Sequence, residues 1–278
     1  MPGNKSDLSE IARQYDASFY ARQEGKVRRL INCYIKEFKI SGLENIKSMK
    51  DSAKIYMSNH RSHLDYSIIA SILYRNKFKP PAIGAGNNMF VWPLGNYIKK
   101  LKAFPIKRTN DDFKTRKDKL RDLEELYDYV KNDLILKGED ILLFPEGGRS
   151  YNGEMGKIGG GQMIFIRSIL DAQDGLEEPI NIVPVGIKYD FVQEKAFFQL
   201  LKKSREIKNK SLSKILYYGA DIGAFAVGMV KGAFGIKSDV YVNFGNPINV
   251  RDFLIQSNSN PRRELADLVM KEINKLVK

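Results

Sequence analysis

The chain has 278 residues, of which 43% are hydrophobic and 11% aromatic, and these values predict a folded globular protein with a sizeable core. Its formal net charge of +13 predicts acidic partners: phosphorylated metabolites, anionic lipid, an acidic carrier protein or nucleic acid. The single cysteine, Cys33, excludes an internal disulfide and fits a reducing compartment. The first residues lack an apolar signal core, and no run approaches the ~20 apolar residues of a transmembrane helix.

Helical and strand-like apolar patterns alternate along most of the chain. A helix is predicted over 7–39, ended by Gly42, and it either packs on the core or lies on a surface as a basic amphipathic helix. Such alternation favours an α/β fold with a mixed, largely parallel central sheet flanked by helices. We predict an N-terminal helical segment over 1–45 and an α/β domain over 46–278. The other predicted elements are helices over 65–75, 111–137, 162–173 and 262–277, and strands over 53–57, 82–86, 103–106, 141–144, 181–187 and 239–244.

Both histidines of the chain lie in the segment 58–65, Ser-Asn-His-Arg-Ser-His-Leu-Asp, between a predicted strand and a predicted helix. In α/β folds such loops often carry chemistry. Asp65 follows His60 by five residues, so its carboxylate can reach an imidazole N–H if the loop bends back. It would then fix the tautomer of His60, and the other ring nitrogen could accept a proton from a hydroxyl.

Spacing alone leaves three other interpretations of this segment open. Ser62 and Asp65 also fit a capping box at the start of the helix, in which Asp65 has no chemical role. His60 could instead be a core residue. A metal site could use both histidines and Asp65, but the chain has no third histidine and a single cysteine to complete it.

A second segment, Pro145-Glu-Gly-Gly-Arg-Ser150, follows a predicted buried strand. Gly147 and Gly148 allow backbone N–H groups to approach an anion, and Arg149 can bind it through two parallel hydrogen bonds. The alternative is a glycine turn in which Glu146 and Arg149 form a surface ion pair.

Two further segments carry weaker patterns. A basic cluster without acids lies on both sides of the strand predicted over 103–106 and includes Lys107 and Arg108. It either converges on a phosphate or forms a solvated face. The apolar segment 181–187 is typical of a core strand, and Pro184 within it predicts a sheet edge or a bulge, because proline lacks an N–H.

Four blocks of the chain resemble the motifs of the glycerolipid acyltransferases and occur in the same order as in that family. The resemblance spans roughly 53–250 and is nearer the glycerol-3-phosphate acyltransferase branch than the lysophosphatidate branch. The first and third blocks together are highly specific, whereas the second and fourth are weak alone. The blocks are His60-Arg-Ser-His-Leu-Asp65, then Asn87 to Gly95 with Ala103 to Arg108, then Phe144-Pro-Glu-Gly-Gly-Arg-Ser150, and finally Ile182-Val-Pro-Val185.

The resemblance implies an enzyme of phospholipid biosynthesis that moves a fatty acyl group from a thioester of acyl carrier protein or coenzyme A to the hydroxyl of glycerol 3-phosphate. It implies His60 as general base and Asp65 as its partner, with Arg149 on the acceptor's phosphate and backbone N–H groups near the glycines on the oxyanion. No cofactor and no metal are implied. The substrate-binding residues that it implies are Glu146, Gly147, Gly148, Arg149, Ser150, Lys107 and Arg108.

The chain departs from the family at Lys107, where the family often has an arginine, and a lysine forfeits bidentate geometry. Lysophosphatidate or another acceptor therefore remains an alternative. A nucleic-acid-binding protein is an alternative of a different class, favoured by the charge, but no recognised nucleic-acid motif is present, so we expect no nucleic acid partner.

The basic run over 202–214 precedes an uncharged stretch over 222–230. Together they predict peripheral docking on an anionic membrane surface, because nine residues cannot span a bilayer but can enter its interface. A solvated loop beside a buried glycine-rich helix, or docking of an acyl carrier protein, are the alternatives. We expect a cytoplasmic enzyme that is peripheral on the inner face of a membrane.

Overall fold

The computed structural model describes a central sheet with helices packed on it. The described residues are 8, 15–49, 53–86, 90, 94–107, 115–150, 156–192, 200, 216, 223, 227–228, 230–257 and 259–278. The strands are β1 (Ile35–Ser41), β2 (Lys54–Ser58), β3 (Ala82–Gly86), β4 (Ala103–Ile106), β5 (Ile141–Leu143), β6 (Asn181–Tyr189), β7 (Ser238–Phe244) and β8 (Ile248–Asn249). The α-helices are α1 (Ala17–Tyr34), α2 (Glu44–Lys47), α3 (Asp65–Arg75), α4 (Leu94–Lys100), α5 (Arg116–Asp128), α6 (Met163–Gln173), α7 (Val250–Gln256) and α8 (Pro261–Val277).

The eight strands form one sheet in the order β1-β7-β6-β2-β5-β3-β4, with β8 paired to β6. The five strands from β6 to β4 run parallel to one another, and β1 and β7 run antiparallel to those five. The predicted fold class, a mixed and largely parallel sheet flanked by helices, is confirmed.

Alternation along the buried strands divides the core between the two faces of the sheet. On β2, Ile55 and Met57 face one apolar cluster and Tyr56 faces the other. The first cluster is covered by α5, α6 and α8, and the second by α1, α3 and α4. A strand buried on both faces must be apolar almost throughout, which explains the continuous apolar runs in the sequence.

The first predicted helix is wrong at its end. Helix α1 stops at Tyr34, and residues 35–41 form β1, which pairs with β7 from Ile35 opposite Ser238 to Ser41 opposite Asn243. Hydrogen bonding to a distant strand outweighs the local helical pattern here. The sheet therefore includes residues on both sides of the division predicted at residue 45.

The other predicted helices and strands are found within a few residues of their expected limits. The segment predicted as a helix over 111–137 begins at a capping box, in which Thr115 and Asp118 exchange side-chain and backbone bonds. It continues beyond α5 as a π-helix (Tyr129–Leu134) and a 3-10 turn (Ile135–Lys137). None of the helices in the described ranges is long and apolar enough to cross a membrane.

Pro184 does not mark an edge strand, because β6 lies between β2 and β7. On the β7 side, β8 pairs with residues 181 and 182, whereas β7 pairs with β6 from Val185 onward. The Pro184 carbonyl accepts from the Gly245 N–H at 2.8 Å, on that same side. In a strand the N–H and C=O of one residue point the same way. The missing N–H of Pro184 therefore falls in the gap between β8 and β7.

Candidate active site

Three neighbouring parallel strands bring the predicted site together. Strands β5, β2 and β6 lie side by side, so their carboxyl ends meet at one edge of the sheet. The loop with both histidines follows β2, and the glycine loop 145–150 follows β5. This is the edge at which open α/β sheets bind ligands.

His60 and Asp65 are in direct contact. The His60 Nδ1 lies 2.7 Å from the Asp65 Oδ2, the Asp65 side chain is fully buried, and the His60 side chain is 18% exposed. With Nδ1–H donating to this carboxylate, the lone pair of His60 is on Nε2. No hydrogen bond from Nε2 to another described residue is present. The ring also packs on Phe144, with centroids 4.4 Å apart.

The Asp65 carboxylate is held on both oxygens. Besides His60, its Oδ2 accepts from the backbone N–H groups of Arg61 at 2.5 Å and Ser62 at 2.9 Å. Its Oδ1 accepts from the hydroxyl of Tyr189, at the end of β6, at 2.5 Å. The bond from Ser62 is one half of the alternative capping box, but the Ser62 hydroxyl accepts from the Leu64 N–H and not from Asp65. One carboxylate therefore both closes the loop and orients the imidazole.

The glycine loop is bonded to the backbone of His60. The Glu146 Oε2 accepts from the His60 N–H at 3.2 Å, and the Ser150 N–H donates to the His60 carbonyl at 2.9 Å. The other Glu146 oxygen accepts from the Gly156 N–H at 2.9 Å. Gly147 closes the turn at φ +70°, a conformation that favours glycine, whereas a Cβ on Gly148 would meet nothing within 4 Å. The loop thus fixes His60 and presents open backbone beside it.

The second histidine contacts the arginine of the glycine loop. The Arg149 Nη1 lies 2.7 Å from the His63 Nε2. Because a guanidinium can only donate, His63 accepts this bond through an unprotonated Nε2. The sequence also allowed an ion pair between Glu146 and Arg149. In the structure both carboxylate oxygens of Glu146 accept backbone N–H groups, and Arg149 contacts His63.

The predicted phosphate-binding lysine lies at the same edge but farther along it. Lys107 follows β4, two strand spacings or about 10 Å from β5. Its Nζ contacts the Asp122 carboxylate of α5 at 2.7 Å. Arg108 and the basic run 202–214 lie outside the described residues, as does most of the stretch 222–230. Within the described ranges, no group of three His, Cys, Asp or Glu side chains could hold a metal ion.

Sequence reasoning missed two supporting residues. Tyr189 bonds to Asp65 across 124 positions of sequence. Asn59, buried and directly before His60, pairs with the backbone of Ile187: its amide donates to the carbonyl at 2.9 Å and its oxygen accepts from the N–H at 2.8 Å. Both residues lie at the carboxyl ends of apolar strands, Asn59 directly after β2 and Tyr189 at the end of β6, and this position was the available signal.

An apolar cavity of about 70 Å³ opens beside the first turn of α3, next to Asp65. Its lining includes a half-buried polar pair, a hydrogen bond of 3.0 Å from the Ser71 hydroxyl to the Glu24 carboxylate. Its lining is otherwise mostly apolar, which suits an alkyl chain better than a sugar or a nucleotide. The lining residues are Tyr20, Glu24, Val27, Tyr66, Ser67, Ala70, Ser71, Ile83, Ala85, Ile98, Leu101 and Ala103.

These features define the class of the protein. The family model for acyltransferases matches residues 37–188, more than half of the chain. The chain therefore belongs to the acyltransferase family, and its resemblance to the glycerolipid acyltransferases is confirmed.

Similar proteins narrow the comparison within that class. The glycerol-3-phosphate acyltransferases of Shewanella baltica and Shewanella oneidensis are each 31% identical to this chain over 263 residues. Each match covers 94% of this chain and 30% of the relative, so the chain spans about 30% of the length of these relatives. The solved structure of the 1-acyl-sn-glycerophosphate (LPA) acyltransferase PlsC from Thermotoga maritima matches with 17% identity and a TM-score of 0.47, covering 97% of this chain and 79% of that one.

Proposed function

We propose that the chain transfers a fatty acyl group from a thioester of acyl carrier protein or coenzyme A to the hydroxyl of glycerol 3-phosphate. The observation that carries this proposal is the contact of 2.7 Å between His60 Nδ1 and Asp65 Oδ2, in a chain of the acyltransferase family. The names of the relatives suggest the acceptor.

In the proposed reaction His60 acts as general base. Its Nε2 takes the proton of the acceptor hydroxyl while that oxygen attacks the carbonyl carbon of the thioester. The tetrahedral intermediate then collapses, the carbon–sulfur bond breaks, and the thiolate takes the proton from the imidazolium. Asp65 stabilises the imidazolium and keeps the ring in place. No acyl-enzyme and no cofactor are needed.

The glycine loop supplies the proposed anion contacts. Arg149 binds the phosphate of the acceptor. Lys107 adds charge from farther along the same edge, and Arg108 follows it in the sequence. The open backbone at Gly148 is suited to donate an N–H to the oxyanion of the intermediate. Glu146 and Ser150 act indirectly, by positioning His60, because both form hydrogen bonds to its backbone.

The apolar cavity supports the assignment of an acyl donor. It begins at Tyr66 and Ser67, directly after Asp65, so an alkyl chain entering it would bring its thioester near His60. We further propose that the protein works at the cytoplasmic face of an anionic membrane, because the product is membrane-soluble and the chain carries a net charge of +13.

The test is release of free thiol, measured with acyl carrier protein and coenzyme A thioesters, each crossed with glycerol 3-phosphate and lysophosphatidate. Glycerol 3-phosphate should give the faster release with at least one donor. Faster release with lysophosphatidate would assign the chain to the alternative acceptor. No release with any acceptor, together with a shift of nucleic acid in a gel, would favour the binding protein instead.

A further inference from the structure

Four exposed apolar side chains lie together beside the candidate site, and we call them the apolar rim. Phe234 is 81% exposed, Val230 56%, Ile236 50% and Phe191 41%. The first three share one hydrogen-bonded turn, in which the Phe234 N–H donates to Val230 and the Ile236 N–H donates to Lys231. Phe191 joins them because its N–H donates to the Ser238 hydroxyl, two residues beyond Ile236. Single exposed apolar residues are ordinary, but a cluster indicates a contact surface.

The apolar rim is built on a close-packed base. A Cβ on Gly232 would overlap the Cys33 carbonyl, and one on Gly228 would overlap the Tyr34 ring, so this segment lies directly against the end of α1. Gly235, at φ +79°, ends the helical turn with the bond from the Ile236 N–H to the Lys231 carbonyl. The apolar side chains therefore face outward from a segment whose backbone is fixed.

The apolar rim lies at the same end of the sheet as His60. Phe191 follows Tyr189 by two residues, and the Tyr189 hydroxyl donates to Asp65. Ser238 begins β7, which runs antiparallel to β6, so the residues just before β7 lie beside the residues just after β6. The opposite end offers a comparison: Ile255, 78% exposed, lies on α7 after β8, which pairs with the start of β6.

Basic side chains surround the apolar rim. Lys231 and Lys237 lie within its turn and directly after it. Exposed Arg29 and Lys36 flank the Cys33–Tyr34 base. The acids nearby are Glu37, Asp239 and the exposed Asp190, which directly precedes Phe191, and the Asp239 carboxylate contacts Lys39 at 3.3 Å. A cluster of apolar side chains ringed by cations matches the boundary between anionic headgroups and acyl chains.

We propose that the apolar rim inserts into an anionic bilayer surface and turns the His60 edge of the sheet toward the membrane. The docking itself does not depend on the proposed function. Only its purpose rests on that function, because docking would let an acylated product pass directly into lipid. Phe234 is the deepest contact, and Lys231 and Lys237 bind headgroups around it.

The test is co-sedimentation of the full chain with vesicles of phosphatidylcholine alone and of phosphatidylcholine mixed with phosphatidylglycerol. Phe234→Ser should weaken binding to the mixed vesicles by about ten- to hundredfold, the share of one inserted aromatic side chain. Ile255→Ser, equally exposed at the other end, should bind like the wild type. Lys231→Gln and Lys237→Gln should each cost about fivefold, and this loss should disappear at high salt.

Unchanged binding by Phe234→Ser, or an equal loss in Ile255→Ser, would overturn the proposal. Because Phe234 is so exposed, both serine variants should unfold at the wild-type temperature. As a second measurement, brominated lipid should quench the added fluorescence of Phe234→Trp but not that of Ile255→Trp. Thiol release from a short soluble donor without vesicles should be the same in Phe234→Ser and the wild type. If no protein released thiol, the proposed function would fail while the vesicle result would still decide the docking.

Discussion

Two buried aspartates, Asp65 and Asp140, lie at opposite ends of the sheet and are bonded very differently. Asp65 follows β2 and receives hydrogen bonds on both oxygens, including that from the His60 imidazole. Asp140 precedes β5; its Oδ1 accepts from the Lys54 N–H at 3.0 Å and lies 3.5 Å from the Lys54 Nζ. Its Oδ2 has no partner among the described residues. Burial raises the pKa of Asp140 despite the lysine.

The different hydrogen bonding of Asp65 and Asp140 suggests a different role for each carboxylate. Asp140 joins the starts of two strands, and a buried ion pair of this kind adds little net stability. Asp65 also closes a loop, but its Oδ2 binds the His60 imidazole as well as two backbone N–H groups. We therefore propose a chemical role for Asp65, at the carboxyl edge of the sheet, and a structural role for Asp140, at the amino edge.

Neutralising each carboxylate in turn tests whether Asp65 and Asp140 have these different roles, and it should give the largest effect on turnover. Asp65→Asn should lower turnover by roughly a hundred- to ten-thousandfold, because the amide cannot orient and stabilise the imidazolium. Asp140→Asn, the matched control, should retain turnover close to that of the wild type. Thiol release measures both, and similar losses in the two variants would remove the distinction.

Arg149 should act on binding of the acceptor. Arg149→Ala should raise the half-saturating concentration of the phosphorylated acceptor by about ten- to hundredfold, since it removes one charge-assisted contact. The half-saturating concentration of the donor should change less. Equal changes for both substrates would assign Arg149 to the donor or to structure.

Substitution of His63 should change the kinetics less than substitution of Asp65 or Arg149. The His63 Nε2 accepts from Arg149 and orients the guanidinium, so His63→Ala should raise the acceptor's half-saturating concentration by about fivefold, the effect of one hydrogen bond that acts on the substrate only through Arg149. Turnover at saturation should be nearly unchanged. A loss of turnover comparable to that of Asp65→Asn would mean that the two histidines share the chemistry.

The smallest expected effect is a change in the pH dependence of folding stability when Asp140 is replaced. Because the pKa of Asp140 is raised in the folded protein, its folded form binds a proton more tightly than the unfolded form. Its contribution to stability is therefore most favourable below the ordinary aspartate pKa and declines as pH rises through the folded value. The stability of Asp140→Asn relative to the wild type should increase with pH over that window, as measured by urea unfolding. A decrease would contradict the raised pKa.

Local sequence was sufficient for most of the fold and for the centre of the site. Strand β2, helix α3 and the loop between them follow from short apolar runs around polar residues. The spacing of five positions allowed the contact between His60 and Asp65, and the family resemblance favoured it over the other interpretations. The end of α1 was predicted wrongly because its continuation pairs with β7, about 200 residues later.

Side-chain pairing between distant segments could not be read from the sequence. Tyr189 reaches Asp65 only because β6 lies beside β2. Lys107 looked like part of a cluster without acids, but the fold brings Asp122 of α5 to it. Glu146 was expected at the substrate, and the structure shows it bonded to backbone N–H groups of His60 and Gly156. Each depends on long-range packing that no local pattern encodes.

The most direct test of the central claim, that His60 is the general base of acyl transfer, is thiol release by the wild type and by His60→Ala with glycerol 3-phosphate as acceptor. We predict that the wild type releases thiol and that His60→Ala is slower by roughly two to four orders of magnitude. Its unfolding temperature should change little, because His60 lies on a loop at the edge of the sheet. Turnover of His60→Ala close to that of the wild type would contradict the account.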